Sequence, residues 1–358
     1  MTVYPEGENE RRVTAAALTA VVTQTFRRCG MSGEDAEVLT ETLVVADLRG
    51  VHSHGVLRVP DYVRKLTTEG VDPQGRPRVV RDNGCALVVD GGNSMGQIGA
   101  AFAMGQAIER ARTHQVAVAA VRGSNHCGAM AYFPMLALSE DMIGVAATNA
   151  LPTMAPWGGA EKILGINPLA VAIPAGEERP IVYDAAFSGS SHGKLRVYDQ
   201  KGLEIPAGWA FDRDGHPTTD AGRALEGLLQ PIGAYKGTGL ALVMGVFSSL
   251  LSGAAYGTEL GDMVAGPRAG EDGHVFMAIR IAAFEDPARF KARVDDIVRE
   301  IHACRLAPGF ERIYVPGEPE ALAEARYRKQ GIPLNAETLE GVIGAARSAG
   351  ADPAPLEP

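Results

Sequence analysis

Residues 98–148 switch twice from helical to extended patterning, and that alternation commits this part of the chain to a layered α/β structure. Apolar side chains in 98–113 recur at helical spacing. VAVAAV at 116–121 is a β-branched strand, RGSNHCG at 122–128 is a glycine-containing loop, 129–139 reads as a helix and 143–148 as a second strand. Taken alone, this order describes a doubly wound sheet.

The flanking segments are mixed. Residues 13–29 read as an alanine-rich helix, and Ser32 caps a second helix that ends near Arg49 and Gly50. Pro60 opens a helix to Thr68, stopped by Gly70. Residues 85–90 form a strand closed by the turn Gly91-Gly92-Asn93. Residues 149–159 are too rich in proline and glycine for helix or central strand, 163–174 are extended, 181–184 are a strand, and 204–223 are a turn-rich surface excursion. Helices are expected at 238–252, 287–302, 320–329 and 338–346, strands at 274–281 and 312–315, and loose tails at 1–10 and beyond Gly350. No linker divides the chain, so its domains interleave: an N-terminal helical part at 11–120, a central domain at 121–284, and C-terminal helices at 285–349 that return to the first part.

The chain has 358 residues and a net charge of −9 with no long basic run, which argues against nucleic acid or an anionic membrane as partner. No apolar run reaches the ~18 residues of a membrane span, and the acidic N-terminus lacks a signal-peptide core. Cys29, Cys85, Cys127 and Cys304 are scattered, which fits reduced thiols in the cytoplasm rather than a zinc site or disulfide framework.

The densest chemistry lies in ADLRGVHSHGVLRVPDY at 46–62. A helical turn would put His54 and Arg58 on one face, where an arginine can hold a carboxylate and a histidine can exchange a proton beside it. The same residues also suit an ordinary solvated helix end. His126, in the loop after the 116–121 strand, either meets a ligand as a neutral ring or ties the loop to its neighbours. Lys236, before Gly237-Thr238-Gly239, suits a phosphate or ribose hydroxyl, or is a surface lysine. Asp184 at a strand end holds ribose hydroxyls or caps a turn, and Pro316-Gly317-Glu318 offers a backbone turn with a carboxylate. His52-x-His54 lacks a third ligand at a recognised spacing, so no metal site is expected. The G-x-G-x-x-G and G-x-x-x-x-G-K-[ST] fingerprints and the G-x-S-x-G elbow are all missing, so any nucleotide binds outside the usual Rossmann site.

Together with RGSNHCGAMAYF, ATNALPTMAPWGG, LGINPLAVAIP, the Asp184 region, IPAGWAFDRDGHPTTD, GAYKGTGLAL, SGAAYG and YVPGEPE, the 46–62 stretch resembles the second type of malate/L-lactate dehydrogenase family. This family is unrelated to the Rossmann-fold lactate and malate dehydrogenases. The nine segments run in the family's order over about residues 15–335. The resemblance implies a non-Rossmann α/β (α+β) fold, in which a largely antiparallel sheet binds NAD or NADP, with NAD favoured, and interleaves with a helical substrate and dimerisation domain. It implies hydride transfer to or from C2 of a small 2-oxo or 2-hydroxy carboxylic acid at a site between the domains of a dimer. Reduction of a cyclic 2-imino acid and a non-catalytic nucleotide-binding homologue are the alternatives. A metal-dependent hydrolase using His52, His54 and His126 is a further rival.

By the same resemblance His54 is the acid/base, His126 a second catalytic or cofactor-contacting histidine, and Arg58 the carboxylate clamp. Ser53, Thr153 and Met154 lie near the substrate. Asn149, Tyr183, Asp184, Ala185, Ala186, Lys236, Gly237, Pro316, Gly317 and Glu318 belong to the cofactor site. Two departures stand out. His52 replaces a residue that is commonly acidic, which leaves the pKa of His54 open. Ala186-Phe187-Ser188 and His192-Gly193-Lys194 replace Thr-Ser and Arg-Gly-Lys, a change that bears on NAD against NADP.

Overall fold

A computed structural model describes residues 10–200, 202–262 and 266–357. The expected N-terminal tail at 1–10 lies almost wholly outside the described residues.

The first layer is helical. Helices α1 (Ala15–Arg28), α2 (Gly33–Leu48) and α3 (Val59–Thr67) each start where the sequence dictates: Thr14 and Ser32 accept backbone N–H bonds as N-caps, and Pro60 occupies the first turn of α3. They bury Leu18, Val22, Phe26, Leu39, Leu43 and Tyr62 in one core.

The second layer is a seven-stranded sheet. Its strands are β1 (Arg78–Asp82), β2 (Ala86–Asp90), β3 (Val116–Ser124), β4 (Met142–Thr148), β5 (Leu169–Ile173), β6 (Ile181–Ala185) and β7 (Asp272–Arg280), in spatial order β1-β2-β3-β7-β4-β5-β6. Only β2 and β3 pair in parallel, joined by the crossover helix α4 (Gly96–His114); every other pairing is antiparallel. Ala100, Ala103, Ala107 and Ala111 let α4 lie close on the sheet against Val121 and Phe276.

The alternation at 98–148 thus yields one βαβ unit and stops. The helix expected at 129–139 is a single turn, Tyr132–Met135, containing Pro134, and the segment is too short to carry β4 across to a parallel position. Strand β7 enters between β3 and β4 instead, antiparallel to both, with Phe276 opposite Ala119 and Ala146. The largely antiparallel sheet implied by the resemblance is what the chain forms. Strand β3 runs through the boundary expected at 120/121, and the sheet begins at Arg78, so the helical and sheet units interleave earlier than the sequence reading placed them.

Beyond the sheet come α5 (His192–Gln200), α6 (Tyr235–Ser249), α7 (Pro287–Ala303), α8 (Glu318–Gln330) and α9 (Ala336–Ala349). The excursion at 204–223 joins a small five-stranded sheet that also contains Pro152–Met154. Helices α8 and α9 complete the N-terminal helical core, whereas α7 packs through Val294 and Val298 against Ile173 and Ile181 of the sheet. The strand expected at 312–315 does not form. The chain beyond Gly350 is not loose: Leu356 is fully buried in the helical core, and the Arg11 guanidinium holds the carbonyls of Leu356 and Glu357, each at 2.7 Å. No helix among the described residues is long and apolar enough to cross a membrane.

Candidate active site

Helix α2 ends at Leu48, and residues 52–58 leave it as two short 3₁₀ turns rather than the single α-turn that the His54–Arg58 spacing suggested. Asp47, on the last turn of α2, fixes them. Its buried carboxylate accepts from His52 Nδ1 at 2.7 Å and from the backbone N–H of Val56 at 2.7 Å. Gly55 lies directly on this carboxylate, where a Cβ would overlap it. The clamp therefore brackets His54 on both sides in sequence.

Within the clamped segment the Arg58 Nε donates to the Ser53 carbonyl at 2.8 Å, and Ser53 Oγ lies 2.9 Å from His54 Nδ1. Burial first, and the Arg58 cation second, lower the His54 pKa from its usual value to about 4. His52 plays no part in that shift. It faces Asp47 and the ring of Tyr327, with centroids 6.1 Å apart, and the question raised by its replacement of an acid is answered by geometry.

His126 comes from the other layer. The loop after β3 is held by Asn125, whose amide donates to Asn93 and to the Ser94 carbonyl and accepts from Gly270 N–H. The start of α4 lies against this loop at Gly96, where a Cβ would collide with the Asn125 carbonyl. The result is that His126 stacks on His54, with centroids 5.8 Å apart and planes 15° from parallel. His126 Nδ1 meets the Tyr62 hydroxyl at 2.8 Å. Burial, then the nearby His54, Arg58, Lys65 and His274, hold its pKa well below the usual histidine value, so the ring is neutral.

A cavity of about 520 Å³ opens beside the pair. Of the residues singled out in the sequence, Ser53, His54, Tyr183, Asp184, Ala185, Ala186, Pro316 and Gly317 line it. The carboxyl of Asp184 accepts from Ala131 N–H at 2.8 Å, and although water reaches it through the cavity, the surrounding protein pushes its pKa up to about 6. Gly317, at φ +84°, lies so close to β6 that a Cβ would sit 2.7 Å from the Val182 carbonyl oxygen. Val182 N–H in turn donates to the Pro316 carbonyl at 2.9 Å. A pocket walled by close-approaching backbone, with the Asp184 carboxylate and His54 in its lining, fits a dinucleotide.

Other candidates stand elsewhere. Arg58 and His126, both half-buried, are not part of this cavity's lining but lie against Ser53 and His54. Glu318 is not a free ligand: its buried carboxylate accepts from His302 at 2.8 Å and from Val315 N–H at 3.2 Å, and pairs with Arg312. The side chain of Asn149 is likewise directed into protein, bonding Ser249, Ala255 and Gly273. Met154 is fully buried and Thr153 nearly so in the small sheet. Gly237 is buried against the Ile232 carbonyl, and Lys236 is exposed on α6. Gly193, next to His192, lies close to the clamped segment: a Cβ there would stand 3.6 Å from Ser53 Cβ and 3.9 Å from the Arg58 guanidinium. Asp47 and Gln97 were missed by the sequence reading. Asp47 lies inside the 46–62 stretch, but only the fold shows its carboxylate turning back on the loop.

The chain matches the malate/L-lactate dehydrogenase family over residues 13–342. It is 35% identical to a malate dehydrogenase of Pyrococcus horikoshii, covering 96% of this chain and 97% of that one. It is 36% identical to an L-sulfolactate dehydrogenase of Methanocaldococcus jannaschii, covering 92% of each. Its fold superposes on a malate dehydrogenase from Entamoeba histolytica with a TM-score of 0.92 at 31% identity, over 96% of this chain and 99% of that one. The stacked histidines and the backbone-walled cavity are thus carried by a chain that belongs, over nearly its whole length, to the malate/L-lactate dehydrogenase family.

Proposed function

We propose that the protein reduces a small 2-oxo carboxylic acid, or oxidises the matching 2-hydroxy acid, with a nicotinamide cofactor in the cavity between β6, the 128–131 loop and the Pro316-Gly317 turn. The bound cofactor supplies or accepts the hydride. The observation that carries the reading is the placement of His54 at the cavity wall, with Arg58 on the next 3₁₀ turn and locked to the Ser53 carbonyl. Arg58 holds the substrate carboxylate. His54 gives a proton to the C2 oxygen during reduction and takes one during oxidation, a contribution of roughly 10²–10⁴-fold. Ser53 Oγ, bonded to His54 Nδ1, orients the ring so that Nε2 serves the substrate.

Asp184 and Glu320 on the cavity wall favour a ribose diol over a 2′-phosphate, which supports NAD over NADP. A homodimer is supported by the outer face of α6 and the turn after it, where Leu240, Val243, Phe247, Leu250 and Leu251 are all exposed. The free thiols of Cys85 and Cys304, both exposed, fit a reducing cytoplasm.

The test is turnover of a 2-oxo acid panel with NADH and NADPH, followed by His54→Gln with cofactor affinity measured separately. The reading expects turnover to fall at least 10²-fold at unchanged cofactor Kd. Turnover within a few-fold of the parent protein removes His54 as acid/base.

A further inference from the structure

Two buried groups behind His126 form a hydrogen-bonded chain with it. Gln97 on α4 is fully buried, and its Nε2 lies 3.0 Å from the Tyr62 hydroxyl oxygen. Tyr62 on α3 is also buried, and the same oxygen lies 2.8 Å from His126 Nδ1. An amide nitrogen only donates, so Tyr62 is the acceptor from Gln97. With the Gln97 amide nitrogen facing the phenol, the one hydroxyl proton of Tyr62 has a single neighbour to receive it, His126 Nδ1. The glutamine is itself confined, since a Cβ on Gly128, at φ +79°, would stand 3.1 Å from its Nε2. The Gln97 Oε1 has no hydrogen-bond partner among the described residues.

We infer that Gln97 and Tyr62 are positioning residues that lock neutral His126 as the Nε2–H tautomer, so that His126 acts as a hydrogen-bond donor and leaves proton exchange to His54. The ring accepts on the edge facing Tyr62, and its proton sits on the opposite edge. A ring in that state can hold an oxygen of the substrate or of the nicotinamide carboxamide. It cannot take a proton at Nε2. The division of roles rests on the proposed reaction, whereas the tautomer does not. The two histidines are distinguished by their second partners: a phenol tied to a glutamine fixes one, and a serine hydroxyl that can donate or accept leaves the other free to cycle.

The experiment is ¹⁵N spectroscopy of histidine-labelled protein, with the His126 resonances identified by their loss in His126→Gln. His126 is expected to show a protonated Nε2 and a bare, hydrogen-bonded Nδ1. In Tyr62→Phe the Nδ1 signal should lose its hydrogen-bond shift. In Gln97→Leu, which keeps the phenol but frees its direction, both tautomers should appear. The kcat for a 2-oxo acid should drop about tenfold in Tyr62→Phe and less in Gln97→Leu, with KM changing less than kcat. A protonated Nδ1 in the parent protein, or a Tyr62→Phe spectrum identical to the parent, overturns the inference. Absence of turnover by the parent on every 2-oxo acid would overturn the proposed reaction instead, while the spectra would still decide the tautomer.

Discussion

Asp47 makes the sharpest prediction, because its carboxylate is buried and each oxygen has one short bond to the loop that carries His54. Asp47→Ala removes two hydrogen bonds to a charged acceptor, each worth roughly 1.5–3 kcal/mol, and leaves the Val56 N–H without a partner. The expected cost is about 3–5 kcal/mol, a large share of the roughly 5–15 kcal/mol that holds a protein of ordinary stability together. Asp47→Asn should be milder, about 1 kcal/mol. Its oxygen can still accept from Val56 N–H, and its nitrogen can donate to His52 once that ring changes tautomer. Gly55→Ala should resemble Asp47→Ala although the residue is far smaller. The backbone there is at φ −90° and is not strained, but the new methyl would displace the carboxylate.

The assay is chemical denaturation followed by circular dichroism, with kcat measured on the folded fraction. The order of stability should be parent, then Asp47→Asn, then Asp47→Ala and Gly55→Ala together, with kcat falling about 100-fold where the loop is released, as expected for catalytic groups displaced by ~1 Å. If Asp47→Ala stays within about 0.5 kcal/mol of the parent, the clamp contributes nothing and the argument fails. Equal losses in Asp47→Asn and Asp47→Ala would show that the charge matters rather than the hydrogen-bond geometry.

Two other changes test the site. Arg58→Gln removes the second cause of the lowered His54 pKa, so that pKa should rise from about 4 towards the ordinary histidine value. In the oxidation direction neutral His54 is the base, so the acid limb of kcat/KM should move to higher pH; a limb that stays in place or moves down contradicts the assignment. Gly317→Ala places a methyl 2.7 Å from Val182 on a left-handed backbone, and should raise the cofactor Kd at least tenfold by pushing the 316–317 turn off β6 while kcat at saturating cofactor changes little. Unchanged nucleotide affinity by fluorescence titration would show that this turn does not shape the cavity.

Much of the helical architecture was legible because its signals are local. Ser32, Thr14 and Pro60 start helices by themselves, and the alanine stripe of α4 records how closely it approaches the sheet. Sheet order was not legible. Strand β7 lies about 150 residues from its partners β3 and β4 in sequence, and nothing in VFMAI says which strand it separates. The C-terminal tail misled because proline and small residues read as loose, yet one leucine and one distant arginine dock it. In the site, residue types that carry chemistry were found, and residues that hold them were not. Glu318 looked like a ligand because carboxylates often are, and only its three partners show it closing its own turn.

The two causes of the low His54 pKa have different consequences for catalysis. Burial is the larger cause and persists when substrate is bound, whereas the Arg58 contribution, made by a guanidinium that already has the Asp61 carboxylate 3.4 Å away, depends on what else faces that cation. Of the shift from 6.5 to about 4, burial takes the larger part and Arg58 the smaller. On the proposed reaction, a substrate carboxylate seated on Arg58 would offset that smaller part, so His54 would become easier to protonate when there is a 2-oxo acid to receive the proton. Without substrate, burial and the same arginine together keep the ring neutral beside the cavity. On the proposed reaction one residue would both orient the substrate and tie the readiness of the acid to its presence, which is a reason for the clamp and the acid to lie on the same short segment. The Asp47 carboxylate preserves this coupling without adding to it, because it is spent on His52 and Val56 and does not appear among the charges that move His54.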